Sequence, residues 1–241
     1  MSIRPILRTA TMAALLALSV AGCSSTDTDT DTDAVEDLRA NTVTALDFPR
    51  TVFDGWEITD PADRPTSAIP AILDAAGTGE GLTYSPADCG PDGNRGAALW
   101  STARAGDSWA GQVGQNPNTQ QSFTTSVATI SADSLNAITD FAQNCSHYTV
   151  TGGGKPVDVV TEVTNEEPLK YGLSDARLFT TTATVEGSES AHSTLTGVGH
   201  SDGRVVTGQF TTTGRVEGTT INVAGNWWNI IATKAVDGSS G

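Results

Sequence analysis

Residues 176–185 read Ala-Arg-Leu-Phe-Thr-Thr-Thr-Ala-Thr-Val, and this stretch decides the fold. Successive side chains of a β-strand point to opposite faces of the sheet. One face would carry Phe179, Thr181, Ala183 and Val185. The other would carry Leu178, Thr180, Thr182 and Thr184. β-Branched residues favour strands, and a face of threonines suits a sheet with one side in water. The stretch therefore predicts a long strand of antiparallel sheet.

The same period of two continues on both sides of this stretch. Downstream it predicts strands at His192–Gly199 and Arg204–Thr212, separated by turns that contain glycine. Upstream it predicts strands at Ala97–Ala103, Trp109–Gln115, Phe123–Ile130, His147–Thr151 and Val157–Val163. Since strands outnumber helices, the sequence predicts an α+β fold: a curved antiparallel sheet with helices packed on one face.

Besides a weak helical stretch over residues 34–47, three helices are expected around these strands. The first covers residues 66–76 and ends at a Gly-Thr-Gly turn. The second has an apolar stripe at i, i+3, i+7 and i+10, formed by Leu135, Ile138, Ala142 and Cys145. The third covers Ala224–Val236 and follows Ile221 and Val223.

The first 22 residues have the parts of a bacterial export signal. Arg4 and Arg8 form a basic start, and the apolar run Ala10–Val20 is shorter than the about 20 residues that span a bilayer. Val20-Ala21-Gly22-Cys23 resembles a lipobox, which implies cleavage before Cys23 and a palmitate-type lipid on its thiol. The expected location is the extracytoplasmic face of the cell membrane. The alternative is an ordinary signal peptide cut near Ala21, with Cys23 a free thiol.

A polar tether is expected after Cys23. The Thr-Asp repeat of residues 26–33 has no apolar side chain to bury, and its like charges repel. A calcium loop is the rival interpretation, but the turn glycine and terminal glutamate of such a loop are missing. We therefore expect a lipidated, disordered tether over 23–44, one domain over 45–236 and a flexible tail over 237–241.

Cys89 and Cys145 are the two cysteines of the expected domain. An exported protein folds in an oxidising compartment, so a Cys89–Cys145 disulfide is the default expectation. Neither cysteine belongs to a Cys-x-x-Cys motif, which argues against a metal or redox role.

The charge of the chain limits its partners. The formal net charge is −15 at pH 7, and loss of Arg4 and Arg8 with the leader makes the mature chain more negative. Nucleic acid and anionic bilayers are therefore unsuited as direct partners. The membrane would be reached through the lipid on Cys23 alone.

No catalytic signature stands out. The Gly-x-Ser-x-Gly motif of a nucleophile elbow is absent. His147, His192 and His200 fit exposed strand or turn positions better than a metal site. Glu166-Glu167 precedes a proline in a loop-like stretch, and Gly152-Gly153-Gly154-Lys155 lacks the ending of a phosphate loop. We therefore predict no enzyme activity, no cofactor and no bound metal.

Trp227-Trp228 is the most unusual pair in the sequence. Neighbours on a helix point ~100° apart, so we expect one ring in the core and the other at an edge or lining a cleft. Aromatic side chains are common in ligand sites. Trp228, together with Trp109 and Trp100, is the candidate ligand-binding set.

The order of these features resembles a known family. A lipobox leads into a polar tether, then Leu82-Thr83-Tyr84-Ser85-Pro86-Ala87-Asp88-Cys89, hairpin strands, a helix ending in a second cysteine, more strands and a terminal helix. This order resembles actinobacterial cell-envelope lipoproteins of unknown function. It is also similar to the extracytoplasmic sensor domain of PknH-type serine/threonine kinases, over residues 45–236. The resemblance implies an antiparallel sheet with a cleft that holds a ligand.

The expected function follows from the export signal, the charge and the resemblance together. We expect a membrane-anchored, non-catalytic protein that binds a small ligand, glycolipid, glycan or envelope protein. Two alternatives stay open: an envelope hydrolase with an unrecognised acid–base pair, and a structural or assembly partner.

Overall fold

An antiparallel sheet of nine strands organises the described part of the protein. The structure, a computed structural model, describes residues 38, 41–59, 81–96, 109–128, 132–152, 155–164, 172–189 and 191–237. The strands are β1 (Glu57–Thr59), β2 (Thr83–Ser85), β3 (Trp109–Asn116), β4 (Gln121–Ala128), β5 (His147–Thr151), β6 (Val157–Thr164), β7 (Ser174–Val185), β8 (Ala191–Ser201) and β9 (Arg204–Thr213). Their order across the sheet is β1-β3-β4-β9-β8-β7-β6-β5-β2.

The predicted fold class is confirmed. The sheet is open and antiparallel throughout, and it packs against α1 (Ala132–Asn144) and α2 (Thr219–Asp237). Short 3₁₀ turns lie at Ala45–Asp47 and Ala87–Cys89. The predicted disulfide joins Cys89 to Cys145 across 56 residues of sequence.

Helices α1 and α2 lie on opposite faces of the sheet, whereas the sequence led us to expect one covered face. Leu178 and Phe179 are neighbours on β7, so they point to opposite faces, and both are buried. Leu178 belongs to the core under α2, and Phe179 to the core under α1. A strand with apolar residues on both faces needs a cover on each side. We call these the α2 face and the α1 face.

The α2 face holds the larger core. Trp227 and Trp228 are both fully buried against β9 and β8. Leu38, Val43 and Phe48 from the N-terminal side pack into the same cluster. The packed part of the chain therefore extends N-terminal to residue 45, where we expected the domain to begin, because buried side chains already precede it.

The α1 face carries the second core. The predicted stripe of α1 is buried throughout: Leu135, Ile138, Ala142 and Cys145. These residues pack with Tyr148, Phe179 and Val198 of the sheet. The disulfide ties the end of α1 to the 3₁₀ turn at Ala87–Cys89, which lies beside the edge strand β2.

α2 begins at Thr219, five residues before the predicted start at Ala224. Ile221 and Val223 are β-branched and alternate, which is typical of a strand. In the structure they extend the helix instead, with Ile221 exposed and Val223 packed at the edge of the α2 core. Tertiary packing has therefore overridden local propensity.

Several predictions fall outside the described residues. These are the export signal, Cys23, most of the tether, the helix over 66–76, the strand Ala97–Ala103, and residues 238–241 of the tail. Within the part of the chain that the structure describes, no helix is long and apolar enough to cross a membrane.

Candidate functional site

The α1 face changes from apolar to polar along each central strand. On β8 the side chains that point to this face are Val198, Thr196, Thr194 and His192 in turn. Val198 is fully buried, Thr196 is 3% exposed, Thr194 is half-buried and His192 is exposed. Since α1 packs over the Val198 end, the His192 end of the same face is left open to solvent.

The strands on one side of β8 repeat this change. On β9 the sequence runs from buried Val205 through Thr207 and Gln209 to half-buried Thr211. On β4 the side chains that pair with these four, in the same order, are Ala128, Ser126, Thr124 and Ser122. Alternating positions of three strands therefore place valine and alanine under α1 and hydroxyl or amide side chains beyond it.

A concave site occupies this polar end. The cavity measures about 310 Å³. Its lining includes Ser122, Thr124, Thr181, Ala183, His192, Thr194, Gln209 and Thr211. We call it the threonine groove. Its side chains come from β4, β9, β8 and β7, which are rigid central strands rather than loops.

Five hydroxyl side chains form one row across the groove and its flank. The register pairs Thr161 with Thr181, Thr181 with Thr194, Thr194 with Thr211, and Thr211 with Ser122. The oxygens of Thr161 and Thr181 lie 3.1 Å apart, and those of Thr194 and Thr211 lie 3.3 Å apart. In either pair either hydroxyl can be the donor. This hydroxyl row crosses β6, β7, β8, β9 and β4.

The groove presents neutral hydrogen-bonding groups beside methyl groups. A hydroxyl offers one donor and two acceptor sites, and an amide offers both as well. None of the described residues that line it is Asp, Glu, Lys or Arg, and His192 is the ionisable one among them. Nowhere in the described residues do three His, Cys, Asp or Glu side chains gather into a set that could hold a metal. Such a surface is suited to binding a polar, uncharged molecule.

The perturbed titratable groups lie away from the groove. Burial raises the pKa of Tyr148, and the neighbouring Tyr84 raises it further. Burial also raises the pKa of Tyr84. The centroids of the two rings lie 6.3 Å apart in the core under α1. Their shifts report a desolvated core and not a reactive group.

The structure places the predicted tryptophans differently from the sequence-based expectation. Both Trp227 and Trp228 are fully buried, so the expectation that one ring lies at an edge is wrong. Trp228 packs on Gly197, on the face opposite the groove, so a ligand would reach it only if α2 left the sheet. Trp109 begins β3, but its side chain, like the whole of Trp100, lies outside the described residues.

The three histidines do not come together. His192 and His200 lie at the two ends of β8, and only His192 lines the groove. His147 Nε2 lies 2.7 Å from Asp158 Oδ1 in an exposed hydrogen bond between β5 and β6. Glu166-Glu167 lies outside the described residues.

Thr181, Thr194 and Thr211, which form the middle of the hydroxyl row, were missed as site residues. Each lies in a predicted strand, and each strand alternates as expected. Their shared location depends on the register between strands, which a single sequence does not specify. The available signal was the richness of threonine in three consecutive strands.

Comparison with solved structures identifies a similar fold. The extracellular domain of PknH from Mycobacterium tuberculosis is 16% identical, with a TM-score of 0.50, covering 83% of this chain and 95% of that domain. An uncharacterized protein from Mycobacterium smegmatis is 13% identical, with a TM-score of 0.37, covering 78% of this chain and 90% of that one. No family model and no curated protein matches the sequence. The fold is thus similar to that of a kinase's extracellular domain, as the resemblance in sequence order predicted.

Proposed function

We propose that this protein is a lipid-anchored, extracytoplasmic, non-catalytic binding protein whose ligand lies in the threonine groove. Cys23 would carry the anchor, and the acidic chain beyond it would hold the domain off the membrane surface. The lipobox-like sequence at residues 20–23 and the disulfide of an oxidising compartment support this location.

The groove is the observation that carries the proposal. A sheet face that only had to be soluble would need polar side chains but no concavity. Here polar side chains from four central strands surround a volume of about 310 Å³, which lies in the usual range of small-molecule sites, roughly 300–1,000 Å³. The rigid strands hold these groups in place before the ligand arrives, which lowers the entropic cost of binding.

The chemistry of the lining supports binding rather than catalysis. General acid–base catalysis needs a group that takes or gives a proton at the reacting atom, and nucleophilic catalysis needs an activated nucleophile beside a base. Among the described lining residues the hydroxyls of Thr194 and Thr211 bond to each other, not to a base. His192 is exposed at the rim.

Native mass spectrometry of the full-length chain tests the proposal. The protein is extracted in detergent from cells that produce it, or exposed to envelope extract after recombinant production. Ala183→Trp should fill the groove and abolish a retained ligand mass. Thr184→Trp is the matched control, because its neighbouring position on β7 points to the opposite face.

A thermal unfolding curve of each variant, measured in parallel, shows whether the variant is folded, so that loss of ligand can be distinguished from loss of structure. Loss of the bound mass in Ala183→Trp, with retention in the wild type and in Thr184→Trp, supports the proposal. If the Ala183→Trp variant retains the ligand mass, the ligand lies elsewhere and the proposal is refuted. A wild type that retains no ligand also refutes the proposal. If Ala183→Trp does not fold, Ala183→Leu replaces it.

A further inference from the structure

Resting on the proposed function, we infer that the ligand is a linear, uncharged glycan that lies across the strands along the hydroxyl row. The inference names the chemistry of the ligand and its direction in the groove. Two features carry it: the repeat of the hydroxyl row and the absence of charge from the described lining.

The hydroxyl row repeats at the spacing of the sheet. Neighbouring strands lie ~4.8 Å apart, so five hydroxyl positions on adjacent strands span about 19 Å. All five residues point to the α1 face because the register aligns them directly. A chain of pyranose rings advances by close to one strand spacing per ring. Successive rings would therefore meet successive strands in the same way.

The side chains of the row match both surfaces of a sugar ring. Each threonine offers a hydroxyl and a methyl group, and a sugar ring has a rim of hydroxyls around faces of C–H groups. Thr181, Thr194 and Thr211 are only half-buried, so both groups are available at the surface. A hydroxyl can donate to or accept from a sugar hydroxyl, whichever way the latter points.

The absence of charge excludes other chemistries. An anionic ligand would find no lysine or arginine among the described groove residues, and a chain of net charge −15 would repel it. A cationic ligand would find no carboxylate there. A purely apolar ligand would cover the hydroxyls of Thr181, Thr194 and Thr211 without meeting the hydrogen-bonding capacity that the Thr161–Thr181 and Thr194–Thr211 bonds leave open, which costs free energy.

Binding measurements on the full-length chain in lipid nanodiscs test the inference. Biolayer interferometry would compare linear oligomers of glucose and of mannose, two to eight rings long, with oligogalacturonate of equal length. We expect binding of at least one neutral series, with affinity that rises up to about four or five rings and then levels off, as five strands at ~4.8 Å require. Oligogalacturonate should bind at least tenfold more weakly.

The neutral glycan has two sources with the same chemistry, a polysaccharide and the headgroup of a glycolipid. A glycolipid that carries the bound oligomer therefore forms a further arm. Tighter binding of the glycolipid than of its free headgroup assigns a lipid-borne ligand. Equal binding assigns a polysaccharide. Both outcomes support the inference.

Isosteric variants identify the groove as the site. Thr194→Val and Thr211→Val remove two hydroxyls of the row while keeping shape and strand propensity, and together should weaken binding about tenfold or more. Thr180→Val is the control, because it removes a hydroxyl from the opposite face of β7.

Four results overturn the inference. Neutral oligomers that bind equally well to the Thr194→Val/Thr211→Val variant do not lie on the row. Preferential binding of the charged series contradicts the neutral chemistry. A wild type that binds no glycan can still retain a different ligand, which the Ala183→Trp variant loses. That result refutes the glycan but leaves the proposed function standing. If the Ala183→Trp variant retains every ligand that the wild type binds, both the proposed function and the glycan inference are refuted.

Discussion

Gly197→Ala should destabilise the protein through a single methyl group. Gly197 of β8 lies under the ring of Trp228, and an added Cβ would lie 2.5 Å from Cζ3 and 2.7 Å from Cδ2 of that ring. Real side chains do not approach so closely. Trp228 is fully buried between α2 and the sheet, so its ring cannot move aside without moving the helix.

The expected magnitude follows from two opposing terms. Overpacking a well-packed core costs about 1–3 kcal/mol. Replacing glycine by alanine also restricts the unfolded chain, which stabilises by about 0.4–1 kcal/mol. Because the fully buried ring cannot move aside, the overpacking cost should lie in the upper half of its range. The net loss should then be about 1–2 kcal/mol in the free energy of unfolding, or roughly 2–8 °C in melting temperature for a chain of this size.

Urea unfolding followed by circular dichroism measures this loss, and Gly225→Ala is the matched control. Gly225 lies inside α2, and an added Cβ would meet nothing within 4 Å. Alanine is about 1 kcal/mol better than glycine in a helix interior, so Gly225→Ala should stabilise. The same substitution would thus have opposite signs at the two positions.

A double-mutant cycle decides whether the Trp228 ring is the cause. Trp228→Leu should cost less in the Gly197→Ala background than in the wild type, because the smaller side chain removes the clash. A coupling of about 0.5–3 kcal/mol is expected between contacting residues. Additive effects, or a Gly197→Ala variant as stable as the wild type, would refute the proposed packing of α2 on β8.

Three further predictions concern the disulfide, the buried tyrosines and the anchor. Replacing Cys89 and Cys145 by serine opens a loop of 56 residues and should lower the free energy of unfolding by about 4 kcal/mol in urea titrations; a loss below 1 kcal/mol would contradict the chain-entropy argument. Burial and Tyr84 raise the pKa of Tyr148, so the unfolded chain loses this proton first above about pH 10. The contribution of Tyr148 to the free energy of unfolding should be fully present below that pH and be lost as the pH rises further. Tyr148→Phe should therefore reduce the fall in stability above pH ~10. A variant whose stability falls with pH as steeply as that of the wild type would count against the buried tyrosine as the cause. Cys23→Ser should abolish incorporation of labelled palmitate, whereas labelling that persists would place the lipid elsewhere.

The sequence predicts most elements of the fold because their patterns are local. The alternation around Phe179 and the stripe that ends at Cys145 each depend on one strand or one helix. The first is confirmed as strand β7 and the second by the burial of its four residues. The start of α2 was misjudged at Ile221 and Val223 because their alternation is equally local, while the helix there depends on packing against the sheet.

The threonine groove could not be predicted because it depends on register. Thr161 and Thr211 are 50 residues apart and become parts of one row only through the pairings of β6, β7, β8 and β9. A slip of one residue in any of these pairings would turn that strand's member of the row to the other face. The sequence alone therefore predicts hydroxyl-rich strands, but not a site.

The burial of both Trp227 and Trp228 connects the core to the open groove. Adjacent helix positions point in different directions, so two neighbouring indoles are buried only where the helix lies close enough for a wide arc of it to touch the sheet. Gly197 and Gly208 are paired across β8 and β9, and they leave the space that the two rings fill. This close packing anchors α2 on one face of the same two strands whose other face carries Thr194 and Thr211. The floor of the groove is therefore supported from behind by two fully buried indole rings, which is the arrangement that a preorganised binding surface requires.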